Sequence, residues 1–386
     1  MSQEPWGDIP LFREIQRILS SSQGPVNSEI AGQVATALAT QGGDAAPNAG
    51  RARVLSDAVR DAELMLAGYT RLPVDEPAAV RLVGRSEWAQ STLAAWMWLF
   101  EHLTRKFTAA APGEEEGPPA GMAAAMAQLA PLLIGIQVGT LVGQLATDVT
   151  GRYDYPIPRD DDGRLVYVDP NLVQVASDYG FEHESFLRWL ALTGAARHGV
   201  VTHAPWVGRY WRSLVLEVVD AMEIDVGELQ SRMMELQSQG PEALQEGMGG
   251  GLSLPLVPTG RHQKALARLR SFLAALEGYA RYSAAAVGES FAGSAKQIEE
   301  GMARRRLEPS DGAVMLETLL GVSLDREMEA AGTTFCAAVV KLKGIAALNS
   351  IWEAADNLPT YAEIRDPFAW MERVADAGTG EGDDGA

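Results

Sequence analysis

The 386-residue sequence contains a single cysteine, Cys336, which excludes an intrachain disulfide and is typical of proteins in a reducing compartment. Cys336 lies in the apolar stretch TTFCAAVV with no histidine near it, so we expect a buried, unreactive thiol. The N-terminal residues MSQEPWGDIPLF lack a basic region followed by an apolar one. This pattern predicts no secretory signal and a cytoplasmic location.

Basic residues are scarce as well, with 32 Lys and Arg against 51 Asp and Glu and a net charge of −19. Nucleic-acid binding needs clustered basic side chains, so this balance argues against a nucleic-acid partner. It also disfavours docking onto an anionic lipid surface. An acidic surface suits a basic protein or peptide partner, which the sequence does not name, and the oligomeric state stays open.

Several enzyme motifs are missing from the chain: it has no GxSxG elbow, no Walker A loop and no strand-linked GxGxxG. Zinc hydrolases of the zincin type place two His one turn apart on one helix face, in the motif HExxH. No two of the five His are four residues apart. His198 and His203 are five apart and would point about 140° away from each other on a regular helix.

Apolar residues at helical spacing dominate what is present, and they predict a mainly α fold. They recur around 26–38, 51–69, 86–108, 207–237, 262–287 and 312–349, with Asn27 and Ser28 as candidate caps of the first helix. Strand signal is sparse. Alternation in Gly163–Asp169 predicts a strand that could pair with Tyr153–Ile157, giving a small β-hairpin or sheet.

One long apolar run, residues 121–147, contains no charged side chain and is long enough to span a bilayer. Three glutamines interrupt it, and no basic anchor lies immediately at either end. Gly135, Gly139 and Gly143 recur every four residues and give one smooth face that allows close helix packing. We therefore favour a buried central helix, and a helical membrane-associated protein stays the weaker alternative.

Several stretches between about residues 130 and 375 resemble the zincin-like hydrolases, a metalloprotease-like family partly associated with deazaflavin-coenzyme biosynthesis. They include GIQVGTLVGQLATDVTGRYDYPIP (135–158), GRLVYVDPNL (163–172), FLRWLALTGAARHGVVTHAPWVGRYW (186–211) and LEGYARYSAAAVG (276–288). Their order and spacing agree with the family. The resemblance implies a zincin-like helical domain over residues 121–377, which an N-terminal helical region (1–120) precedes. The polar, acidic composition of residues 378–386 predicts a disordered tail.

The resemblance also implies where HExxH should stand, because the family carries a Pro-Trp pair eight residues after the motif. Counting back from Pro205–Trp206 places the first ligand at Thr193, the general base at Gly194 and the second ligand at Arg197. All three depart from the pattern. Thr is a poor zinc ligand, Gly has no base, and Arg places a fixed positive charge where the metal would lie.

The third ligand of the family corresponds to Glu277 in EGYARY, which is retained as a vestigial ligand position. Arg197 and Glu277 could form an ion pair in the vacated site. We therefore expect no catalytic residues, no bound metal and no cofactor, although the family uses zinc. The expected protein is a catalytically inactive zincin homologue with a binding or scaffolding role.

Two alternatives stay open at this stage. The first is an active hydrolase with an altered or metal-free site, using a shifted ligand set of His198, His203 and Glu277, or the two His with His183 or Glu182. The second is a calcium site at the acidic run Asp160–Asp162, for which a solvated turn is the more ordinary interpretation.

Overall fold

A computed structural model describes residues 24–74, 76–109, 120–225, 227–228, 231, 256–257, 259–291, 294–322 and 326–375. Residues 110–119 and 232–255 and the whole predicted tail, 378–386, lie outside the described residues. The fold is mainly α with small two-stranded sheets, as predicted. The division of the chain at residue 120 stays a prediction.

Three helices open the chain: α1 (Ser28–Thr40), α2 (Ala49–Thr70) and α3 (Arg85–Ala109). The predicted cap of α1 is confirmed, because the Asn27 side chain accepts a hydrogen bond from the Ile30 backbone N–H at 3.0 Å. These bounds lie within a few residues of the predicted ones.

The long apolar run forms α4 (Ala120–Asp148), which packs against α1 and α3. Its glycines allow this contact: a Cβ at Gly135 would lie 2.6 Å from the Asn27 carbonyl, and one at Gly139 the same distance from that of Ala31. By length and composition, Ala130–Asp148 could cross a membrane, and 44% of that stretch is buried within the protein. The membrane alternative stays a prediction.

The predicted strand is present as β2 (Leu165–Val168), but the predicted hairpin is wrong. Residues 153–157 form turns and bends, because the Asp154 carboxylate accepts from the Thr150 backbone N–H at 2.6 Å and curls the chain. Instead, β2 pairs in parallel with β1 (Val80–Val83). All four residues of β2 are buried, which is typical of a parallel strand covered on both faces.

The second half contains most of the helices that bear on the site. They are α5 (Asp169–Asp178), α6 (His183–His203), α7 (Pro205–Ala221), α8 (Gly260–Phe291), α9 (Ala295–Arg305), α10 (Asp311–Leu320), α11 (Arg326–Lys343), α12 (Ile345–Asn349), α13 (Tyr361–Arg365) and α14 (Pro367–Trp370). Short turns of other helix types cover Ser350–Trp352, Ala355–Asn357 and Met371–Ala375.

Two of the predicted helices are too long. The one over 207–237 ends at Ala221, because Glu223–Ile224 (β3) pairs with Leu256–Val257 (β4) as a short antiparallel ladder. The one over 312–349 is divided by Gly321 and Gly344, whose φ values of +65° and +86° end a helix in the left-handed region. Helical spacing of apolar residues continues across both glycines, so periodicity alone does not reveal the breaks.

Helices α8 and α11 cross at backbone contact, next to the retained Glu277. A Cβ on Gly278 would overlap the backbone of Gly332, and a Cβ on Gly332 would overlap that of Ala274. Helix α6 packs against α8 and α2 and contributes to both hydrophobic clusters of the core, through Val200 to one and Ala195 to the other. The site is therefore held between rigid, closely packed helices.

Candidate functional site

The face of α6 that carries the motif position points toward α8. Thr193 and Arg197 lie one turn apart on it, and Arg197 Nη1 donates to the Thr193 carbonyl at 3.0 Å. The Thr193 hydroxyl donates to the backbone carbonyl of Trp189 at 3.0 Å, so its proton is used within the helix. Across the gap, α8 presents Glu277.

Arg197 and Glu277 form a bidentate ion pair, so the expected contact is confirmed. Arg197 Nε donates to Oε1 at 2.8 Å, and Nη2 donates to Oε2 at 2.7 Å. The two side chains are only 17% and 11% exposed. Burial alone would lower the pKa of Arg197, but the charge of Glu277 and its hydrogen bonds outweigh this and raise that pKa above its usual value.

The general-base position, Gly194, is closed by a residue that the sequence did not single out. A Cβ on Gly194 would overlap the hydroxyl oxygen of Tyr167. Tyr167 is buried on β2, and its hydroxyl donates to the Leu190 carbonyl at 3.3 Å. A glutamate side chain could not begin at position 194 unless this ring moved. Tyr167 lies in the family-like stretch GRLVYVDPNL, but only the fold brings it to α6.

These residues do not fit a zinc ion. Gly194 has no side chain, Arg197 is a cation, and both oxygens of Glu277 already accept hydrogen bonds from that cation. Within the described ranges, no group of three or more His, Cys, Asp or Glu side chains is placed to hold a metal. The role of Glu277 as a vestigial ligand stays a prediction.

Charged side chains around the ion pair largely neutralise one another. Arg281, which follows Glu277 in EGYARY, pairs with Glu329 at 2.7 Å and with Glu299 at 2.6 Å. Arg306 and Glu329 line the same cavity of about 160 Å³ as the Arg197–Glu277 pair. Burial raises the pKa of Glu329, and the nearby Arg306 opposes this. The surroundings of the ion pair are thus a network of alternating charges.

The histidines of the shifted ligand set are placed elsewhere. His198 and His203 line a larger cavity of about 430 Å³, whereas Glu277 lines the smaller one. His183, which Glu182 precedes, begins α6 and lies about 22 Å from His198 along the helix. The structure therefore brings the two histidines to one cavity but does not bring Glu277, His183 or Glu182 to them.

His198 is buried beside Tyr153, with 2.9 Å between its Nδ1 and the tyrosine hydroxyl oxygen. Burial, with a smaller contribution from the charge of Arg152, lowers the pKa of His198 to about 4. The imidazole is therefore neutral at physiological pH.

The carboxylates of the acidic run at 160–162 form ion pairs with arginines. Asp161 pairs with Arg159 at 2.6 Å and with Arg152 at 2.7 Å. The flanking carboxylates also pair with arginines: Asp160 with Arg212 and Asp162 with Arg164. This arrangement gives no support to a calcium site. Cys336 is fully buried as expected, and burial raises the pKa of its thiol.

A mainly helical frame in which one helix carries the HExxH position and a second presents a carboxylate toward it is a zincin-like architecture. The sequence profile described as zincin-like metallopeptidase matches residues 26–371, so the chain belongs to that family. It is also similar to a solved structure from Chloroflexus aurantiacus described as a "putative hydrolase with a novel fold". The two share 25% identity and a TM-score of 0.64, over 91% of this chain and 99% of that one. Among curated proteins, none matches the chain.

Proposed function

We propose that this chain is a zincin-like protein that has lost zinc-dependent hydrolysis and acts by binding or scaffolding. The observation that carries the proposal is the Arg197–Glu277 fork, in which a permanent cation lies at one ligand position and engages the side chain at another. A dication at the same place would meet Coulomb repulsion from Arg197 on the order of several kcal/mol at an effective dielectric near 20.

The overlap of Tyr167 with position 194 supports the same proposal independently. The general base of a zincin cannot be restored by one substitution there, since the ring occupies the space in which its side chain would start. A cytoplasmic location and a protein or peptide partner are part of the proposal, and the acidic net charge of −19 favours a basic partner over a nucleic acid.

Metal analysis of the purified chain tests the proposal directly. Expression in zinc-supplemented medium, followed by elemental mass spectrometry, should give far less than one zinc per chain. Stoichiometric zinc that survives dialysis would instead favour the alternative of an active hydrolase with an altered ligand set.

Reconstruction of the motif gives a sharper experiment. The variant Thr193→His, Gly194→Glu, Arg197→His should gain zinc affinity only when Tyr167→Ala is added to make room for the glutamate. Calorimetric titration with zinc compares the triple and quadruple variants, and the quadruple variant with Glu277→Gln is the control for the third ligand. Failure of the folded quadruple variant to bind zinc would show that the assignment of ligand positions is wrong.

A further inference from the structure

A second cavity lies on the opposite side of α6 from the ion pair. Its volume is about 430 Å³, which is within the range of small-molecule sites. Helices α2, α6 and α8, residues 72–74 and 76–79 before β1 and residues 162–164 before β2 form its wall. About half of the lining residues are aliphatic, including Leu66, Leu72, Val74 and Val200.

Ser283 is an unsatisfied polar group in this wall. The residue is 1% exposed, and its hydroxyl oxygen is buried without a hydrogen-bond partner. Serine within a helix ordinarily donates to the carbonyl four residues earlier, as Ser271 does on the same helix. The oxygen has almost no accessible surface, so a ligand in the cavity would reach it only after the side chain rotates, and pairing a buried hydroxyl that is otherwise costly favours that rotation.

His198 supplies a second polar group to the cavity. The guanidinium carbon of Arg152 lies 5.8 Å from the centroid of the Tyr153 ring, and we assign the Tyr153 proton to His198 Nδ1. The neutral imidazole then carries its own proton on Nε2, which has no partner among the described residues. His198 therefore offers a directed N–H donor.

Charge at the rim selects against anions. Glu76 and Asp162 are exposed at the mouth, and Arg164, the cation there, pairs with Asp162 at 3.1 Å. Inside, the Glu63 carboxylate accepts from the Ala78 backbone N–H at 3.0 Å. A negatively charged ligand would meet acidic side chains and find no uncommitted cation in the described wall.

We propose that this cavity binds a small uncharged amide with an aliphatic body, whose carbonyl accepts from His198 and whose polar atoms pair with the Ser283 hydroxyl. The inference rests on the proposed binding role and goes beyond its protein or peptide partner by adding a site for a small molecule. It can fail separately from the loss of zinc chemistry, because the variants below leave Arg197 and Glu277 unchanged.

The probe is N-acetyl-leucine methylamide, and N-acetyl-leucine, its anionic counterpart, is the ligand control. Ligand-observed NMR titration of the full chain should show saturable binding of the amide and at least about tenfold weaker binding of the acid. No saturable binding of the amide up to its solubility limit would overturn the proposal, and equal binding of the acid would overturn the ligand class.

Two glycines provide a matched pair of variants. Gly199 lines the cavity and Gly68 is exposed on α2, and a Cβ at either would meet nothing within 4 Å. Gly199→Leu should fill the cavity and weaken binding of the amide more than about tenfold, whereas Gly68→Leu should leave it unchanged. Unchanged binding in a folded Gly199→Leu chain would place the ligand elsewhere and overturn the proposal.

Ser283→Ala adds no bulk and tests the site should the Gly199 variant fail to fold. We expect an unchanged or slightly raised Tm, since an unpaired buried hydroxyl is removed, together with about threefold to tenfold weaker binding of the amide. His198→Phe should weaken binding by a similar factor. A lower Tm with unchanged affinity in Ser283→Ala would mean that the hydroxyl serves the fold, and the proposed contact would be wrong.

Discussion

Residues adjacent in the sequence of α6 face two sides of the helix, and these two sides differ. Arg197 points to a position that is filled and charge-paired, while His198 and Gly199 line an open cavity of about 430 Å³. The predicted position of the family's metal chemistry is thus occupied by this chain's own side chains. The cavity on the other side is larger, about 430 Å³ against about 160 Å³, and a search for function confined to the motif position would miss it.

Removal of the arginine from the filled side should have the largest effect. Arg197→Met leaves Glu277, which is 11% exposed, buried without its partner, so the free energy of unfolding should fall by about 3–5 kcal/mol. Urea denaturation measures this change. The matched control is Arg197→Met combined with Glu277→Leu, which should recover most of the loss because no lone charge remains. If the free energy of unfolding of Arg197→Met lies within about 1 kcal/mol of the parent's, the ion pair does not stabilise this side of α6 as described.

Acid should lower the free energy of unfolding through His198, which lines the larger cavity. The pKa of His198 is about 4 in the folded chain, against an ordinary histidine value of 6.5, so the unfolded chain binds the extra proton between these values. Stability from this group is complete above pH 6.5 and is lost as the pH falls toward 4, by about 3 kcal/mol in all. The Tm, measured by thermal unfolding at several pH values in this range, should fall less steeply with falling pH in His198→Phe than in the parent. Equal slopes would mean that His198 is not buried neutral.

The same substitution at two glycines sharpens the contrast between the two sides. Gly194→Ala places a methyl group into Tyr167 and should lower the free energy of unfolding by about 1–3 kcal/mol. Gly199→Ala meets open space and should raise it by about 0.5–1 kcal/mol through helix propensity. Adding Tyr167→Phe should recover part of the Gly194→Ala loss. If the denaturation midpoints of Gly194→Ala and Gly199→Ala shift in the same direction and by similar amounts, the two sides do not differ in free space as described.

A chelator should have the smallest effect, namely none. The residues at the motif position do not fit zinc, so incubation with excess EDTA should leave the Tm unchanged. Differential scanning fluorimetry with and without the chelator provides the measurement, and a known zinc protein is the positive control. A drop of several degrees would reveal a stabilising metal, because loss of any ligand of the native state lowers stability by mass action.

Much of the fold could be predicted, because apolar residues recur with the helical period wherever a helix is buried on one face. The partner of β2 could not, since β1 contains only four residues and lies more than 80 positions earlier in the chain. Local alternation shows that a segment is a strand but says nothing about which distant segment pairs with it. The breaks at Gly321 and Gly344 depend on backbone angles that apolar spacing does not record.

The candidate site divides in the same way. The Arg197–Glu277 contact followed from the family resemblance, because both positions stand at fixed distances from recognisable stretches. Tyr167 was missed because its hydroxyl reaches Gly194 only after β2 and α6 have packed together. Ser283 and Gly199 look like ordinary helix residues in sequence, and only the assembled wall shows that one lacks a partner and the other faces empty space.

The Arg197–Glu277 pair also bears on how the molecule matures. It joins α6 to α8 through two side chains that both belong to the polypeptide itself. If this position binds no metal, as proposed, the packing of α6 against α8 does not depend on an ion. Under metal starvation, a chain that ties these helices through such a pair would reach its final form at the same yield as in a replete cell.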